Sequence, residues 1–392
     1  MFKAVVGCSD DIDTEDAVTQ VIESCDEKLD GETPIAGLVF CGTEFEHSMV
    51  LKKIMGRYPD LQLIGCTTDG EMTSCNGFTE DAITLTLFCA DKVDIAAGYG
   101  GEASTDPHGA AKKAIEMASS RLGDEPRLAI ALPDGLTTSA YEVLDGFNSI
   151  LGAEVPVVGG MSADRVAGSK ISYSTYQFCG DKVLTDSVPT LIFSGPLIYS
   201  LGVESGWSPV GEKMTVTQVE NNVLYRLNDR PAFEIYSYYL GDVLKENISG
   251  LGSYPLAVYE QGVDRYYLRV AKTADPDTGT ITFLGEIPEG AEVQVTQAIR
   301  DQVLGGVNKS VESAIAGYSG DSPGVALMFS CTGRKLTLGT KAREEIARAR
   351  DSFDQPIPMS GFYTFGEIGP ASGHTRARYH NTTFVSLLLG DG

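Results

Sequence analysis

Apolar and polar positions follow a pattern that occurs three times along this chain. Each repeat contains a short apolar strand, an amphipathic helix, a second apolar strand and a glycine-rich turn that carries small polar residues. The opening apolar strands occupy residues 35–40, 127–132 and 324–329. Strands that alternate with helices are typical of α/β folds. The pattern therefore predicts an α/β protein, with an α+β arrangement as the alternative.

The helical signal is clear in the first repeat, where four apolar residues recur at i, i+3, i+4 and i+7 and so share one helix face. These residues are Leu51, Ile54, Met55 and Tyr58. Residues 254–297 instead contain short alternating strands separated by the turn-rich segments ADPDTG and GEIPEG. We therefore predict two related α/β lobes with a β meander between them.

The glycine-rich turns of the first and third repeats are the most alike. Residues 65–72 and 361–368 share the pattern GxxTxGE followed by a large apolar residue. Each copy follows a short apolar strand and precedes a long alternating one, which favours an internal duplication over chance agreement.

Candidate ligand-binding residues lie in these turns and at the ends of the strands before them. Open α/β sheets bind ligands beyond the carboxyl ends of their strands, where glycines let backbone approach and hydroxyl groups supply hydrogen bonds. This reasoning favours a small polar ligand. The candidate residues are Cys41, Thr67, Thr68, Glu71, Asp134, Ser162, Cys331, Arg334, Tyr363, Glu367 and His380.

Several candidates have a structural alternative. Glu71 and Glu367 occupy equivalent places in the repeat, so they either form an acid/base pair across a cleft or each bind backbone N–H groups of their own loop. Arg334 either grips a carboxylate or phosphate or makes an ordinary ion pair. The strand-end cysteines are candidate nucleophiles or core residues, and His380 is a cavity residue or a satisfied loop histidine.

Charge and composition narrow the functional classes. The chain has 54 acidic and 30 basic residues, a net charge of −24, which disfavours nucleic acid and anionic membranes as partners. No signal peptide or membrane-span pattern is visible, so we expect a cytoplasmic protein. The eight cysteines form no CxxC pair and the four histidines form no HxH or HExxH pair, so no metal site is indicated.

Motifs for common catalytic classes are also missing from the sequence. The chain has no phosphate-binding GKS or GKT loop, no GxGxxG after the first strand and no GxSxG elbow. We therefore expect no enzyme activity. The alternative is an unrecognised enzyme that uses Glu71, Glu367 or Cys331 in a shared cleft.

Six segments together resemble the FIST family of sensory domains (F-box and intracellular signal transduction), and they occur in the family's order. They are IGCTTDGEM (64–72), VPVVGGMSAD (155–164), LGEIPEGAEV (284–293), SCTGR (330–334) and GFYTFGEIGP (361–370) with YHNTT (379–383). The resemblance implies an N-terminal FIST region over 1–215 and a C-terminal FIST region over 216–392.

The resemblance also implies a function, namely sensing of a small ligand such as an amino acid or similar polar metabolite in intracellular signal transduction. No kinase, methyl-acceptor or cyclase sequence is attached, so the output would pass to a separate signalling protein such as a histidine kinase. Some relatives bind haem and report nitric oxide. No cofactor is expected here, but His380 is the candidate axial ligand if haem binds.

Overall fold

A computed structural model describes residues 2–166, 172–241, 248–260, 265–370 and 376–391 of the chain. The described residues form a mixed α/β protein, which confirms the predicted class. All three strand–helix–strand repeats are present. Each repeat has a six-stranded sheet of its own, and a further sheet forms a separate β domain, so three units and a β domain describe the chain more finely than two lobes.

Unit 1 contains the first repeat. Its first helix begins after Asp13, whose carboxylate accepts hydrogen bonds from the N–H groups of Glu15 and Asp16 and so caps the helix. In chain order its elements are β1 (Phe2–Ser9), α1 (Thr14–Leu29), β2 (Ala36–Cys41), α2 (His47–Arg57), β3 (Gln62–Thr67), β4 (Glu71–Thr73), β5 (Gly77–Thr79) and β6 (Ile83–Ala90).

Unit 2 repeats this order. Its first helix starts with Pro107 in the first turn, and Asp106 accepts a 2.8 Å hydrogen bond from the Gly109 N–H, which is the expected proline and cap arrangement. Its elements are β7 (Asp94–Gly101), α3 (Pro107–Ser119), β8 (Pro126–Ala131), α4 (Ala140–Leu151), β9 (Val157–Gly160), β10 (Gln177–Cys179), β11 (Lys182–Leu184) and β12 (Ser187–Ser194).

Unit 3 begins with β13 (Leu197–Glu204) and is then interrupted by the β domain. The predicted β meander forms the second half of this domain, whose strands are ordered β18-β17-β21-β14-β15-β20-β19 with β16 beside β15. Its elements are β14 (Trp207–Glu220), β15 (Val223–Leu227), β16 (Arg230–Pro231), α5 (Ala232–Leu240), a 3-10 helix (Ile248–Ser253), β17 (Leu256–Tyr259), β18 (Tyr266–Arg269), β19 (Ala271–Asp275), β20 (Thr280–Phe283) and β21 (Glu292–Ala298).

After the β domain, unit 3 resumes with a long helix and completes the same order of elements. These are α6 (Arg300–Gly317), β22 (Val325–Cys331), α7 (Thr332–Leu338), a 3-10 turn (Gly339–Lys341), α8 (Glu344–Asp351), β23 (Met359–Thr364), β24 (Glu367–Pro370), β25 (Ala377–His380) and β26 (Phe384–Asp391).

The three units exchange hairpins in a ring. Each sheet contains the first, last, second and third long strands of one unit, followed by a two-stranded hairpin from another unit. Hairpin β4–β5 of unit 1 pairs with β23 of unit 3, β24–β25 of unit 3 pairs with β9 of unit 2, and β10–β11 of unit 2 pairs with β3 of unit 1. The exchange gives the three units an approximate threefold relationship.

One hydrophobic core lies among the three sheets. It contains Phe40 and Phe88 from unit 1, Phe193 from unit 2, and Phe329 and Phe362 from unit 3, all of them fully buried. The helices of each unit cover the outer face of its sheet, and the β domain has its own core. Within the described ranges, no helix combines the length and apolar character of a membrane span.

Candidate functional site

A cleft of about 1470 Å³ separates the β domain from units 2 and 3. One wall contains the loops after β8, β9 and β23 and the helix α7 that directly follows β22. These lie at the carboxyl ends of the strands, where α/β sheets bind ligands. The start of α4 and strand β25 extend this wall, while β18, β19 and residues 284–289 of the β domain form the other. An open cleft therefore lies at the carboxyl ends of these strands, where the sequence predicted a ligand-binding site.

Two arginines in the cleft lie close to one aromatic ring. The Cζ atom of Arg269, on β18, is 4.4 Å from the ring centroid of Tyr267, and that of Arg378, on β25, is 5.4 Å from the same centroid. These distances are within the range of cation–π attraction. Tyr267 therefore links a cation of the β domain to a cation of unit 3.

Arg269 is buried, and no carboxylate of the described residues pairs with it. Only 7% of the residue is exposed. Its Nε donates to the carbonyl of Glu286 at 2.9 Å, and its Nη1 donates to the carbonyls of Leu268 at 3.0 Å and Tyr379 at 3.1 Å. Within the part of the chain that the structure describes, the guanidinium makes no salt bridge, and burial lowers its pKa. Backbone dipoles alone compensate this charge at hydrogen-bond distance.

The other cations of the cleft are more exposed or have partners. Arg378 pairs with Glu260 at 2.5 Å, and Arg376 pairs with Asp145 at 3.0 Å. Among the residues that the structure describes, four basic and four acidic side chains line the cleft, whereas acidic residues outnumber basic ones by 54 to 30 in the whole chain. The cleft is therefore the less negative part of an acidic protein. Its charged lining residues are Arg269, Lys272, Arg376, Arg378, Glu142, Asp145, Glu286 and Glu289.

Apolar side chains lie along both walls of the cleft. Leu136, Tyr141, Leu284 and Leu336 are between 43% and 58% exposed. They belong to the loop before α4, to α4 itself, to the β domain and to α7. An apolar surface beside a few polar groups is the usual composition of a small-molecule site.

Of the eleven residues that the sequence favours for ligand binding, one lines the cleft, namely Cys331 at the end of β22. Burial, and then the nearby Glu367 carboxylate, raise the pKa of this thiol well above its ordinary value. Cys331 is therefore a neutral contact surface and not a ready nucleophile. The sequence neighbours Thr364 and Asn381 also line the cleft.

Arg334 and Tyr363 do not face the cleft, contrary to the expectation from sequence. Arg334 is fully buried and pairs with Glu345 through Nε at 2.9 Å and Nη2 at 2.7 Å. Its remaining donors bind the backbone carbonyls of Ser205 and Val303. The Tyr363 hydroxyl donates to the second oxygen of Glu345 at 2.6 Å. This network joins α7, α8 and β23, so both side chains serve the fold.

Glu71 and Glu367 occupy equivalent positions under the threefold relationship, but they do not form a pair. Glu71 accepts from the Thr68 hydroxyl and, at 3.3 Å, from the Ala82 N–H. Glu367 accepts from the Thr383 N–H at 2.9 Å and from its hydroxyl at 2.6 Å. They have no common partner in the described chain, and neither lines the cleft. Each carboxyl group ties down its own loop, which was the alternative expectation.

The structure also explains the shared GxxTxGE pattern. A Cβ at Gly65 or Gly361 would lie 2.0 Å from a carbonyl oxygen of the neighbouring strand, so only glycine fits. Gly70 and Gly366 have positive φ angles of 114° and 152°, which glycine tolerates best. The motif is therefore required by the turn that leads into the exchanged hairpin.

Unit 2 contains a third copy of this arrangement that sequence comparison misses. Gln177 opens hairpin β10–β11 and pairs with Cys66, just as Glu71 pairs with Phe362 and Glu367 with Gly160. Its Nε2 donates to the Ser162 hydroxyl at 2.8 Å, and its Oε1 accepts from Ser187 at 3.2 Å. A neutral amide thus replaces the carboxyl group in one of three equivalent places.

Burial controls the protonation of the two carboxyl groups. It raises the pKa of both Glu71 and Glu367 to about 8, although hydrogen bonds from Thr68 and Thr383 act in the opposite direction. The Cys41 thiol beside Glu71 is also buried, and its pKa is raised well above the ordinary value. Cys41 is therefore a core residue.

The remaining predicted residues support the loops behind the cleft. Asp134 accepts from the N–H groups of Leu136 at 2.8 Å and Thr137 at 3.1 Å, and Ser162 accepts from the Gly135 N–H at 3.2 Å. Thr67 accepts from the Tyr176 N–H at 3.0 Å. Thr68, as described above, binds Glu71.

His380 does not fit the role of an axial haem ligand. It is 3% exposed, and its Nε2 lies 3.0 Å from the carbonyl oxygen of Gly369. Burial lowers its pKa to about 4, so the ring is neutral. It does not line the cleft, and no haem-dependent step is assigned to this chain.

The sequence analysis did not identify Arg269 and Tyr267 as site residues, because it assigned the β meander only a connecting role. Tyr267 and Arg269 alternate with Leu268 in a short strand. The arginine in this otherwise apolar strand was the one feature of the sequence that could have indicated a binding residue. Their neighbours across the cleft come from β25, 110 positions away in the case of Tyr379. A contact of this range has no local sequence signature.

Comparisons with known proteins identify related sequences. The FIST N domain family matches residues 35–230, and the FIST C domain family matches residues 232–370. The uncharacterized protein Rv0628c of Mycobacterium tuberculosis (strain ATCC 25618 / H37Rv) is 29% identical over 260 residues, which covers 63% of this chain and 64% of that protein. The chain thus spans somewhat under two thirds of this relative's length.

Two further similarities complete the comparison. The uncharacterized protein Mb0898c of Mycobacterium bovis is 28% identical over 283 residues, covering 67% of this chain and 68% of that protein. Among solved structures, a cyanuric acid hydrolase from A. caulinodans aligns over 100% of this chain and 99% of its own, with a TM-score of 0.35 and 10% identity. A TM-score this low supports no conclusion about fold or activity.

Proposed function

Because this chain belongs to the FIST family, whose domains are sensory domains in signal transduction, we propose that it senses a small metabolite with a carboxylate group. The ligand binds in the cleft between the β domain and units 2 and 3. An amino acid is one metabolite of this class. The proposal rests chiefly on Arg269.

A buried guanidinium without a paired carboxylate is suited to bind an anion. Its desolvation has already occurred in the folded protein, so an incoming carboxylate gains a charge-assisted hydrogen bond at little further cost to the arginine. The nearby guanidinium of Arg378 adds a second positive charge. Leu284 and Leu336 offer apolar surface for the rest of the molecule.

The experiment is a thermal-shift screen in which each amino acid is compared with its C-terminal amide. A ligand at 100 times its Kd stabilises the protein by about 2.7 kcal/mol, which a melting curve resolves. We expect the acid to stabilise the protein and the amide, which lacks the carboxylate, to do so much less. Equal shifts for both would contradict recognition of the carboxylate.

Two arginine variants test the position of the site. Arg269→Gln should abolish the ligand-induced shift, because it removes the buried charge. Arg376→Gln is the matched control, since Arg376 also lines the cleft but is 61% exposed and already paired with Asp145. A shift that survives in Arg269→Gln would place the ligand elsewhere.

We also propose that the chain binds its ligand without transforming it. Glu71 and Glu367 each bind their own loop, and the Cys331 thiol is held neutral, so no pair of these groups is poised for acid/base or nucleophilic chemistry. Mass spectrometry of a stabilising ligand after prolonged incubation with the protein should recover it unchanged. Turnover would support the enzyme alternative.

We also propose that the output passes to a separate signalling protein, such as a histidine kinase, because FIST domains are sensory domains in signal transduction. A pull-down in the presence and absence of the stabilising ligand tests this step. Binding of a partner that changes with ligand is the expected result.

A further inference from the structure

Two cysteines and a lysine meet at the outer edge of unit 1, away from the cleft. Cys8 lies on β1, Lys28 at the end of α1, and Cys75 in the turn between β4 and β5. Cys75 is exposed and Cys8 is partly exposed. Strand β1 is at the edge of its sheet, and within the described ranges no strand pairs with its outer side.

Contacts between the two segments hold the thiols together. Cys75 Sγ lies 3.2 Å from the Val6 carbonyl oxygen, and the Thr73 hydroxyl lies 3.7 Å from Cys8 Sγ. Each sulfur therefore contacts the chain segment that carries the other sulfur. Residues 73–75 thus lie alongside residues 6–8.

Lys28 supplies a positive charge to this pair. Its Nζ is 3.5 Å from Cys75 Sγ and also donates to the Val6 carbonyl at 2.6 Å, which fixes the ammonium group beside the sulfur. A nearby lysine stabilises a thiolate, and the thiolate is the reactive form of cysteine. The Cys8 thiol, followed by Lys28, lowers the pKa of Cys75 to about 6, whereas the pKa of Cys8 is raised.

From this geometry we propose that Cys75 and Cys8 form a thiol pair that hydroperoxides oxidise to a disulfide, with Cys75 as the attacking residue and Cys8 as the resolving residue. The other six cysteines have no comparable arrangement in the described chain: Cys25, Cys41, Cys66, Cys89 and Cys331 are buried, and the pKa of Cys179 is raised by burial.

The chemistry has two balanced steps. The Cys75 thiolate attacks one oxygen of the hydroperoxide, an S–O bond forms, the O–O bond breaks, and the leaving alkoxide or hydroxide takes a proton from solvent. The sulfur is oxidised by two electrons to a sulfenic acid and the peroxide is reduced. The Cys8 sulfur then attacks Cys75 Sγ, an S–S bond forms, the S–O bond breaks, and water leaves with the Cys8 proton.

The disulfide would connect two sheets, although both cysteines belong to unit 1. Strand β1 belongs to the sheet of unit 1, whereas β4 pairs with β23 in the sheet of unit 3. Oxidation would therefore link β1 covalently to the turn of the first exchanged hairpin, which pairs with the sheet of unit 3. Neither cysteine lines the cleft, so this site is independent of ligand binding there.

The test treats the reduced full-length protein with hydrogen peroxide and counts thiols after denaturation. We expect the eight thiols to fall to six, with a peptide map that shows a Cys8–Cys75 link. Cys75→Ser should lose no thiols at the same peroxide dose, and Cys8→Ser should stop at a sulfenic acid on Cys75 that dimedone traps. Cys179→Ser is the matched control and should still lose two thiols.

A second measurement addresses the role of Lys28. Alkylation of Cys75 by iodoacetamide should follow a pH profile with its midpoint at about pH 6, compared with about 8.5 for an ordinary thiol, and Lys28→Gln should move the midpoint upward. Unchanged oxidation in Cys75→Ser, a link from Cys75 to Cys25, or an ordinary midpoint for Cys75 in the wild-type protein would each overturn the proposal.

Discussion

Two buried arginines, Arg334 in unit 3 and Arg269 in the β domain, have opposite surroundings. Arg334 is 0% exposed and is paired through two nitrogens with the Glu345 carboxylate. Arg269 is 7% exposed and binds three backbone carbonyls. Both arginines are buried to a similar extent, so burial does not distinguish them; the presence of a paired anion does.

The difference separates a structural charge from a charge available to a ligand. A paired guanidinium already has its anion, and its removal would leave Glu345 buried and alone. An unpaired guanidinium bears the cost of desolvation without the full compensating attraction. We infer that a missing anion, more than the presence of an arginine, indicates a binding site in this fold.

The largest effect on stability is expected at the buried carboxyl groups Glu71 and Glu367, which extend this comparison because no cation among the described residues is their hydrogen-bond partner. Their folded pKa values of about 8 lie above the unfolded value of 4.5, so the folded state retains protons that the unfolded state has released. The free energy of unfolding should therefore fall as pH rises from 4.5 to about 8. The fall is on the order of 4–5 kcal/mol for each group.

The double variant Glu71→Gln/Glu367→Gln should flatten this dependence, because an amide does not ionise. Gln177 already occupies the equivalent place in unit 2, so the substitution has a natural precedent within the molecule. Urea unfolding between pH 6.5 and 8 is the useful measurement. His380, whose pKa is lowered from 6.5 to about 4, reduces the free energy of unfolding only below pH 6.5 and so does not affect this range. Parallel curves for the two proteins would contradict the burial effect.

The next effect concerns Arg334 itself. Arg334→Met should lower the free energy of unfolding by about 3–5 kcal/mol, because Glu345 would remain buried without its partner. Chemical denaturation measures this change. The double variant Arg334→Met/Glu345→Met removes both charges and should recover much of the loss. A single variant as stable as the wild type would show that the pair is not needed for stability.

A smaller effect is expected at Arg269. Arg269→Gln removes a costly buried charge but leaves carbonyl groups without a donor, so the ligand-free protein should lose only about 1–3 kcal/mol. The comparison with Arg334→Met in the same denaturation assay is decisive. A larger loss of stability at Arg269 than at Arg334 would mean that Arg269 is the structural charge of the two.

The smallest effect is expected at Arg376, whose partner Asp145 is 41% exposed. Exposed ion pairs contribute about 0–1 kcal/mol, so Arg376→Gln should be nearly neutral. The change in the free energy of unfolding of this variant gives the reference value for a solvent-exposed arginine in the cleft. A loss comparable with that at Arg334 would mean that the Asp145 pair is not screened by solvent.

Sequence patterns were sufficient for the fold class and for the three repeated units, because hydrophobic periodicity and helix caps are local signals. Asp106 with Pro107 is an example, and both play their expected parts at the start of α3. The GxxTxGE turns were also recognised correctly as equivalent. Their third copy was missed because the loop of unit 2 places Gln177 much farther after Ser162 than Glu71 lies after Thr68.

The site residues were harder to predict for a physical reason. Glycines and hydroxyl groups in a strand-end turn can bind a ligand or stabilise the protein's own backbone equally well. The sequence does not distinguish these two roles. Arg334 resembled a ligand-binding residue because Glu345, its partner, is recognisable only in three dimensions. Arg334→Ala and Tyr363→Phe would therefore report on stability and not on ligand binding.

The exchange of hairpins has a consequence for synthesis of the chain on the ribosome. Ser74, which follows the first exchanged strand, is hydrogen-bonded to Met359, 285 positions later. The sheet of unit 3 cannot close until nearly the whole protein has been made, and until then the first hairpin exposes unpaired strand edges. Such edges bind other unfolded chains, so we expect the nascent protein to depend on chaperones until its last strands emerge.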